Sequence, residues 1–295
     1  MRSAWVHGVF GLMVLSLLGW DARAAQRTFV SAVGGHDANP CSRAMPCRSF
    51  GAAIALTDAG GEVVALDSGG YGPVTIDSSV ALIAPSGVHA AITALTDQDA
   101  IAILAGSADV IVIRGLVLNS LGGTTGVLFQ NGGMLHVERC VMSGFSSAGL
   151  YATAPDSQVF VNDTISRNNT FGFAFGTSTQ IRANLDSVRA EESFHGILAD
   201  GNSVVTVTRS VASGSTLAGF IVGSQIGVLN LQSCTASMNQ YGVYSNGTLR
   251  VYDSTIVAND VGVTALAPGV AVSFGNNRVD GNGSDGTFTS TVTQQ

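Results

Sequence analysis

The stretch LHVERCVMSGFSSAGLYA (135–152) is one copy of a motif that recurs every 20 to 24 residues from about residue 109 to the C-terminus. Each copy opens with alternating apolar residues and a small polar residue or cysteine, and closes with a glycine and a second apolar run. Later openings read VFVNDT (159–164), VVTVTRS (204–210), LNLQSC (229–234) and LRVYDS (249–254). A fixed period in this range is typical of a solenoid, because one unit cannot bury its apolar face alone and must stack on its neighbours.

Each copy has room for about three short strands and contains no helical segment. The sequence therefore predicts an all-β, right-handed parallel β-helix of about ten coils, since parallel connections are nearly always right-handed. Asn169, Asn239 and Asn259 each fall three residues before a repeat glycine, and we expect them to adopt left-handed corners and to hydrogen-bond from coil to coil. One inward column is predicted from Leu150, Phe173, Ile197, Phe220, Val243 and Val263.

The first 24 residues have the pattern of a cleaved secretory signal. Arg2 and His7 precede an apolar stretch at 9–20, and Ala-Arg-Ala at 22–24 is a small-residue cleavage site. The stretch is shorter than the roughly 20 apolar residues needed to span a bilayer. We therefore predict domains at 1–24 (signal peptide), 25–61 (N-terminal cap) and 62–295 (β-helix), in a secreted protein of the periplasm or the extracellular space.

The composition limits the classes of partner. The 295 residues have a formal net charge of −7, and all the basic residues are arginine. An acidic chain with scattered arginines argues against binding to nucleic acid or anionic membranes. No later segment is a candidate for membrane insertion. The oligomeric state is left open.

The four cysteines fall into two pairs of different character. Cys41 and Cys47 lie in one short loop, and we expect them to form a disulfide in an exported protein. Cys140 and Cys234 occupy the same repeat position four copies apart, which places them about 19 Å apart at the strand spacing of a sheet. This separation is far beyond disulfide reach, so we predict two buried free thiols.

The segment PCRSFGAAIALTDAGGEVVALDSGGYG (46–72) predicts a short helix before the first coil. Followed by coils of the VxVxxSxxxxxxxxGI type, it resembles the pectate-lyase-like superfamily of right-handed parallel β-helices. The resemblance covers nearly all of residues 25–295 and is greatest to secreted bacterial repeat proteins. It implies the fold. It implies no single activity, because the superfamily includes lyases, hydrolases, epimerases, adhesins and structural stalks.

In each copy of the motif, the residue just before the small polar residue or cysteine is often charged, and stacking of the copies places these charged residues in one row. Within this row Arg139 is expected to meet Asp163 in the next coil, and Asp186 to meet Arg209. The pattern suits a solvated flank that avoids like-charge repulsion. Alternatively, Arg139 and Arg209 grip the carboxylates of uronate sugars in a surface groove.

The densest titratable patch is the coil at 181–203. Here Glu191 or Glu192 could exchange protons with His195, and Arg167 aligns with Glu191 from the coil before. Phe171, His195 and Tyr241 each precede a repeat glycine, which predicts a surface strip on which sugar rings could stack. The alternative interpretation is an Arg167–Glu191 salt bridge beside a surface histidine.

The chain departs from the catalytic patterns of several families with this fold. The galacturonan-hydrolase elements are absent: Asn162-Asp163-Thr164 has the right letters in the wrong order, and an Arg-x-Lys element is impossible without lysine. The Asp-Pro-His-Glu element of alginate epimerases is also missing. We predict no metal site and no cofactor. A calcium-assisted lyase stays open but has no carboxylate cluster in its favour.

The sequence thus favours an exported β-helix that binds or scaffolds extracellular polysaccharide without strong catalysis, since no catalytic motif is identified. One alternative is a lyase or glycosidase that acts on uronate glycans through the 181–203 patch. A third is an adhesin or a structural surface protein.

Overall fold

The computed structural model describes residues 25–292, and the predicted signal peptide lies outside the described residues. The chain forms a parallel solenoid with three long sheets, of twelve, ten and ten strands. Each coil contributes one strand to each sheet, and neighbouring strands of a sheet belong to successive coils. Ten stacked strands correspond to about nine full turns between the first and the last, in agreement with the predicted ten coils.

Strands are numbered in chain order. The first sheet contains β1 (Ala25–Val30), β2 (Thr57–Ala65), β5 (Val80–Ile83), β8 (Val110–Arg114), β11 (Met134–Glu138), β14 (Gln158–Asn162), β17 (Ile181–Asp186), β20 (Ser203–Thr208), β23 (Val228–Gln232), β26 (Thr248–Tyr252), β29 (Val270–Ser273) and β32 (Ser290–Thr291). The second sheet contains β3 (Gly69–Gly70), β6 (Ala90–Leu95), β9 (Val117–Leu121), β12 (Val141–Ser143), β15 (Ile165–Arg167), β18 (Arg189–Glu191), β21 (Val211–Ser213), β24 (Thr235–Ser237), β27 (Thr255–Val257) and β30 (Arg278–Val279). The third sheet contains β4 (Val74–Ile76), β7 (Ile101–Leu104), β10 (Thr125–Asn131), β13 (Ala148–Ala152), β16 (Phe171–Phe175), β19 (His195–Ala199), β22 (Ala218–Val222), β25 (Tyr241–Ser245), β28 (Val261–Ala265) and β31 (Ser284–Gly286).

The core runs along the solenoid axis as stacked columns of like residues. The predicted inward column is confirmed, because each of its members pairs in register with the equivalent residue of the next coil. All six side chains are buried. Burial of apolar side chains of this size contributes about 1.5–3 kcal/mol each, which makes the stack a main source of stability.

The N-terminal segment folds against the first coil. A five-residue helix, α1 (Phe50–Ile54), begins after Ser49, whose hydroxyl accepts the Ala52 N–H at 3.3 Å. The predicted disulfide between Cys41 and Cys47 is confirmed. That α1 closes this end of the solenoid remains a prediction.

The loop that holds the disulfide pairs with the outer edge of β1. The Phe29 N–H donates to the Cys41 carbonyl at 2.8 Å, and the Cys47 N–H donates back to the Phe29 carbonyl at 3.0 Å. An open edge strand would expose these groups to pairing with another chain. The disulfide loop therefore covers the first edge of the first sheet.

The corner between the second and third sheets contains the predicted asparagine ladder. The Asn239 Nδ2 donates to Asn259 Oδ1, and Asn259 Nδ2 donates to Asn282 Oδ1, both at 2.9 Å. The left-handed conformation, however, belongs to the residue before each ladder asparagine, for example Asn168 with φ +55°. The asparagine side chain needs an extended position next to the corner to reach along the stack, and this is why the prediction was off by one residue.

The two remaining cysteines are free and buried, as predicted. Desolvation raises the pKa of Cys140 and of Cys234 to about 11. The cysteine column runs through Thr164, Val188 and Ser210, which lie between Cys140 and Cys234. Between residues 25 and 292, no helix is long and apolar enough to cross a membrane.

Candidate ligand-binding cleft on the third sheet

The residue before each repeat glycine belongs to a stacked column at one edge of the third sheet. In the middle coils this column contains Phe171, His195, Ala218 and Tyr241, each paired in register with the next. Ala218 carries only a methyl group between two neighbours that carry rings. The column is therefore interrupted, and space remains between His195 and Tyr241.

A second column faces outwards from the third sheet. Leu198, Ile221 and Tyr244 pair in register across three successive coils. Each of them directly follows an inward-facing core residue, and successive side chains of a strand point to opposite faces. This column provides a largely apolar wall beside the interrupted one.

The two columns line a cleft of about 480 Å³. Its volume and its mixture of apolar walls with a few polar groups are typical of small-molecule sites, which measure about 300–1,000 Å³. The lining residues are His195, Leu198, Asp200, Leu217, Ile221, Gly223, Tyr241, Tyr244 and Asn246.

His195 is the most buried polar side chain of the lining, with 8% of its surface exposed. Its ring stacks on Phe171 at 5.4 Å between centroids and meets the edge of Phe194 at 4.6 Å. Its Nδ1 is buried and has no hydrogen-bond partner among the described residues. Desolvation lowers the pKa of His195, which favours the neutral ring.

Because Nδ1 has no partner among the described residues, no hydrogen bond at this atom selects which edge of the imidazole faces the cleft. A neutral imidazole carries one donor and one acceptor nitrogen. A rotation of the ring about its Cβ–Cγ bond would thus let an incoming hydroxyl group find either a donor or an acceptor.

The other polar groups of the cleft are also largely uncommitted. Asp200 is exposed and takes part in none of the ion pairs formed by residues 25–292. Asn246 donates one hydrogen bond to the Gly223 carbonyl at 3.3 Å, which leaves its Oδ1 available. A Cβ at Gly223 would lie 2.9 Å from Asp200 Oδ1, so the absence of a side chain there leaves room for the carboxylate.

Comparison with known proteins supports the same architecture. The family described as "Right handed beta helix region" matches residues 93–228. The solved structure of pectate lyase Pel9A superposes with a TM-score of 0.58 and 15% identity, over 92% of this chain and 80% of that chain. The chain therefore has the fold of a right-handed β-helix.

A second solved structure, a rhamnogalacturonan lyase, has a TM-score of 0.45 and 10% identity to this β-helix, over 82% of each chain. No curated protein matches the sequence. At these identities the likenesses show the fold alone, and the residues of the cleft must be judged on their own chemistry.

The β-helix brings only part of the predicted site together. His195 and Tyr241 line one cleft, and Phe171 stacks on His195 as the strip hypothesis requires. His195 is not a surface residue, however, because Phe171 and Phe194 cover its ring. Ala218 separates His195 from Tyr241, in agreement with their spacing of two coils in the sequence, and the stacking of sugar rings on this strip stays a prediction.

The two glutamates of the 181–203 patch do not line this cleft. Glu191 and Arg167 pair in register on the second sheet, as predicted. The predicted Arg167–Glu191 salt bridge is nevertheless wrong, because Arg189 of the same strand forms the ion pair with Glu191. Glu192 lies in the following corner with φ +49°. Whether any of these residues acts in catalysis stays a prediction.

Of the two ion pairs predicted for the row of charged residues, the structure contains one. The Asp186–Arg209 ion pair is confirmed. Arg139 and Asp163 occupy equivalent corners but form no ion pair within the described residues. Both arginines lie at the corner after the first sheet, away from the cleft lining. Binding of uronate by Arg139 and Arg209 remains untested.

The sequence placed Asp200 in the titratable coil at 181–203, but it did not predict Leu198, Tyr244 and Asn246 as site residues. A signal for two of them exists: Leu198 and Tyr244 each follow a predicted inward residue, so alternation alone directs them outwards. Asp200 and Asn246 lie just beyond their strands, and no periodicity indicates which way such residues point.

A further cleft, of about 520 Å³, lies at the N-terminal end and is lined by Gln26, Arg27 and residues 58–62, and three smaller ones lie elsewhere on the surface. The principal charges of the N-terminal cleft already neutralise each other, because Arg27 Nη2 lies 2.6 Å from Glu62 Oε2. Among residues 25–292, no three His, Cys, Asp or Glu side chains converge to hold a metal ion. The cleft on the third sheet is therefore the stronger candidate.

Proposed function

We propose that this β-helix is an exported protein that binds polysaccharide through the cleft on the third sheet. One observation carries the proposal. Tyr241, Tyr244 and the uncommitted ring of His195 surround a single cleft together with a carboxylate and an amide.

This combination suits a sugar ring. Tyr241 and Tyr244 meet edge to face at 5.3 Å between centroids, which gives the cleft a rigid aromatic wall. Aromatic side chains offer a flat apolar surface for the carbon-bound face of a sugar, while the tyrosine hydroxyls supply polar contacts at the rim. Asp200, Asn246 and His195 then provide acceptors and donors for sugar hydroxyls.

Two further observations support the proposal. The solved structure with the same fold is a pectate lyase, whose name refers to a carbohydrate substrate. The disulfide between Cys41 and Cys47 suits an oxidising compartment outside the cytoplasm. The proposal requires no cofactor.

We further propose that the cleft binds without hydrolysing its ligand. Asp200 is the only carboxylate that the described part of the chain contributes to the lining, whereas glycoside hydrolysis generally uses two carboxylates on either side of the bond. Glu191, which the sequence suggested as a proton-transfer carboxylate, already forms an ion pair with Arg189.

Isothermal titration calorimetry against a panel of neutral and acidic polysaccharides tests the binding. Tyr244→Ala is expected to weaken affinity about tenfold, the loss typical of an aromatic anchor. Tyr151→Ala is the matched control, because Tyr151 belongs to the same outward column four coils earlier and is not part of the cleft. Its affinity should stay within about twofold of the wild type.

The proposal would be overturned if no polysaccharide bound, or if Tyr151→Ala and Tyr244→Ala weakened binding equally. The lyase or glycosidase alternative has its own outcome. Release of unsaturated or reducing ends from uronate polymers, abolished in folded Glu192→Ala and His195→Ala variants, would replace binding by catalysis. Attachment to cell-surface protein that no sugar competes for would favour the adhesin alternative.

A further inference from the structure

The charge of the cleft distinguishes it from the rest of the surface. Every basic residue of the chain is an arginine, and none of the arginines within residues 25–292 lines the cleft. Among the described residues, Asp200 is the only formally charged one in the lining. A ligand in this cleft therefore meets one negative charge and no compensating positive one.

His195 does not supply the missing cation. Its ring lies between Phe171 and Phe194, and no carboxylate forms an ion pair with it within residues 25–292. Burial against aromatic rings without a counter-ion favours the neutral imidazole. At neutral pH the ring thus acts as a hydrogen-bonding group and not as an anion receptor.

Asp200 also defines what the ligand must offer. An ionised carboxylate only accepts hydrogen bonds, and its two oxygens can accept from two adjacent hydroxyl groups. A carboxylate on the ligand can donate nothing to it and is repelled by it. The repulsion acts over the few ångströms that separate groups within one cleft.

We infer that the cleft selects uncharged sugar units that carry adjacent hydroxyl groups and discriminates against uronate units. This inference rests on the proposed function, since it names the class of glycan that the same cleft binds. It also separates the cleft from the arginine-bearing corners of the first sheet, where the sequence analysis expected uronates to bind.

The test measures the affinity of the purified full chain for pairs of oligosaccharides of equal length, one neutral and one with uronate units at the same linkage. The neutral member is expected to bind at least about tenfold more tightly at low ionic strength. The difference should shrink when salt is raised to about 0.5 M, because salt screens the exposed carboxylate.

Asp200→Asn is the informative variant. It retains a hydrogen-bonding group of the same shape and removes the charge, so it should bind uronates more tightly and narrow the tenfold preference to about threefold or less. Asp260→Asn is the control, because Asp260 is also an exposed carboxylate but does not line the cleft. The control should keep the wild-type preference. Circular dichroism verifies that both variants fold.

Five outcomes are distinguishable. A preference for neutral oligosaccharides that Asp200→Asn narrows to about threefold or less supports the inference. Equal binding of both classes, tighter binding of uronates, or a preference that Asp200→Asn leaves unchanged would overturn the inference while glycan binding stands. Absence of binding to every oligosaccharide would overturn the proposed function itself.

Discussion

Replacement of Asn239 by alanine tests whether the asparagine ladder holds successive coils together. The Asn239 side chain is buried, and its Oδ1 accepts the Ser215 N–H at 2.8 Å. Its Nδ2 donates to Asn259 Oδ1 at 2.9 Å and to the Ala212 carbonyl at 3.1 Å. Asn239→Ala therefore removes three hydrogen bonds that join three successive coils.

The magnitude follows from these contacts. The Ser215 N–H loses its acceptor inside a buried corner, which costs about 1–3 kcal/mol, and the two bonds made by Nδ2 are each worth about 0.5–1.5 kcal/mol net. We expect Asn239→Ala to lower the free energy of unfolding by about 2–6 kcal/mol. Asn184→Ala, an exposed asparagine on the outer face of the first sheet, should change it by no more than about 0.5 kcal/mol.

Urea unfolding followed by circular dichroism measures the two free energies. Amide hydrogen exchange adds a local readout, because the Ser215 amide should lose its protection in Asn239→Ala. The Phe145 amide donates to Asn169 in a separate part of the ladder and should exchange as in the wild type. A free energy equal to that of the Asn184→Ala control, with Ser215 still protected, would refute the reasoning.

Three further predictions follow from the corners and the buried groups. Glu192→Gly should raise the free energy of unfolding by up to about 1 kcal/mol, because φ is +49° there and glycine adopts this conformation without strain; a lower urea midpoint would contradict the corner geometry. Cys140 and Cys234 should react with a thiol reagent at pH 8 only after unfolding, since burial raises the pKa of both to about 11; modification of the native chain would argue against their burial. Burial lowers the pKa of His195 below its usual 6.5, so the unfolded chain binds more protons and the free energy of unfolding should fall as the pH drops below about 6.5. His195→Gln should reduce this fall, measured as urea midpoints between pH 7.5 and 5. If the variant shows the same fall as the wild type, another titratable group causes it.

The fold itself could be predicted in detail because it depends on a period. Once one copy of the motif stacks on the next, every equivalent residue joins the same column, and Leu150 must lie over Phe173 in the core. The pairing of Cys41 with Cys47 was equally accessible, because six residues of separation and an oxidising compartment leave few alternatives. Stacking of Phe171 on His195 followed from the same periodicity.

Predictions failed where the result depends on side-chain reach. Glu191 lies beside both Arg167 and Arg189, and repeat spacing cannot tell which guanidinium reaches it. The left-handed corner falls on Asn168, whereas the hydrogen bond along the stack comes from Asn169; sequence spacing does not separate these two tasks.

The sequence by itself determined the columns: which residues face inwards, which face outwards, and which stand above one another, because backbone pairing repeats with the motif. Only the tertiary structure decided where those columns leave a space. The cleft lies where Ala218 interrupts the rings of its column, and Asp200 and Asn246, which lie beyond the strands, also line it. Such an arrangement depends on the volumes and directions of side chains from three coils at once, and no single repeat contains that information.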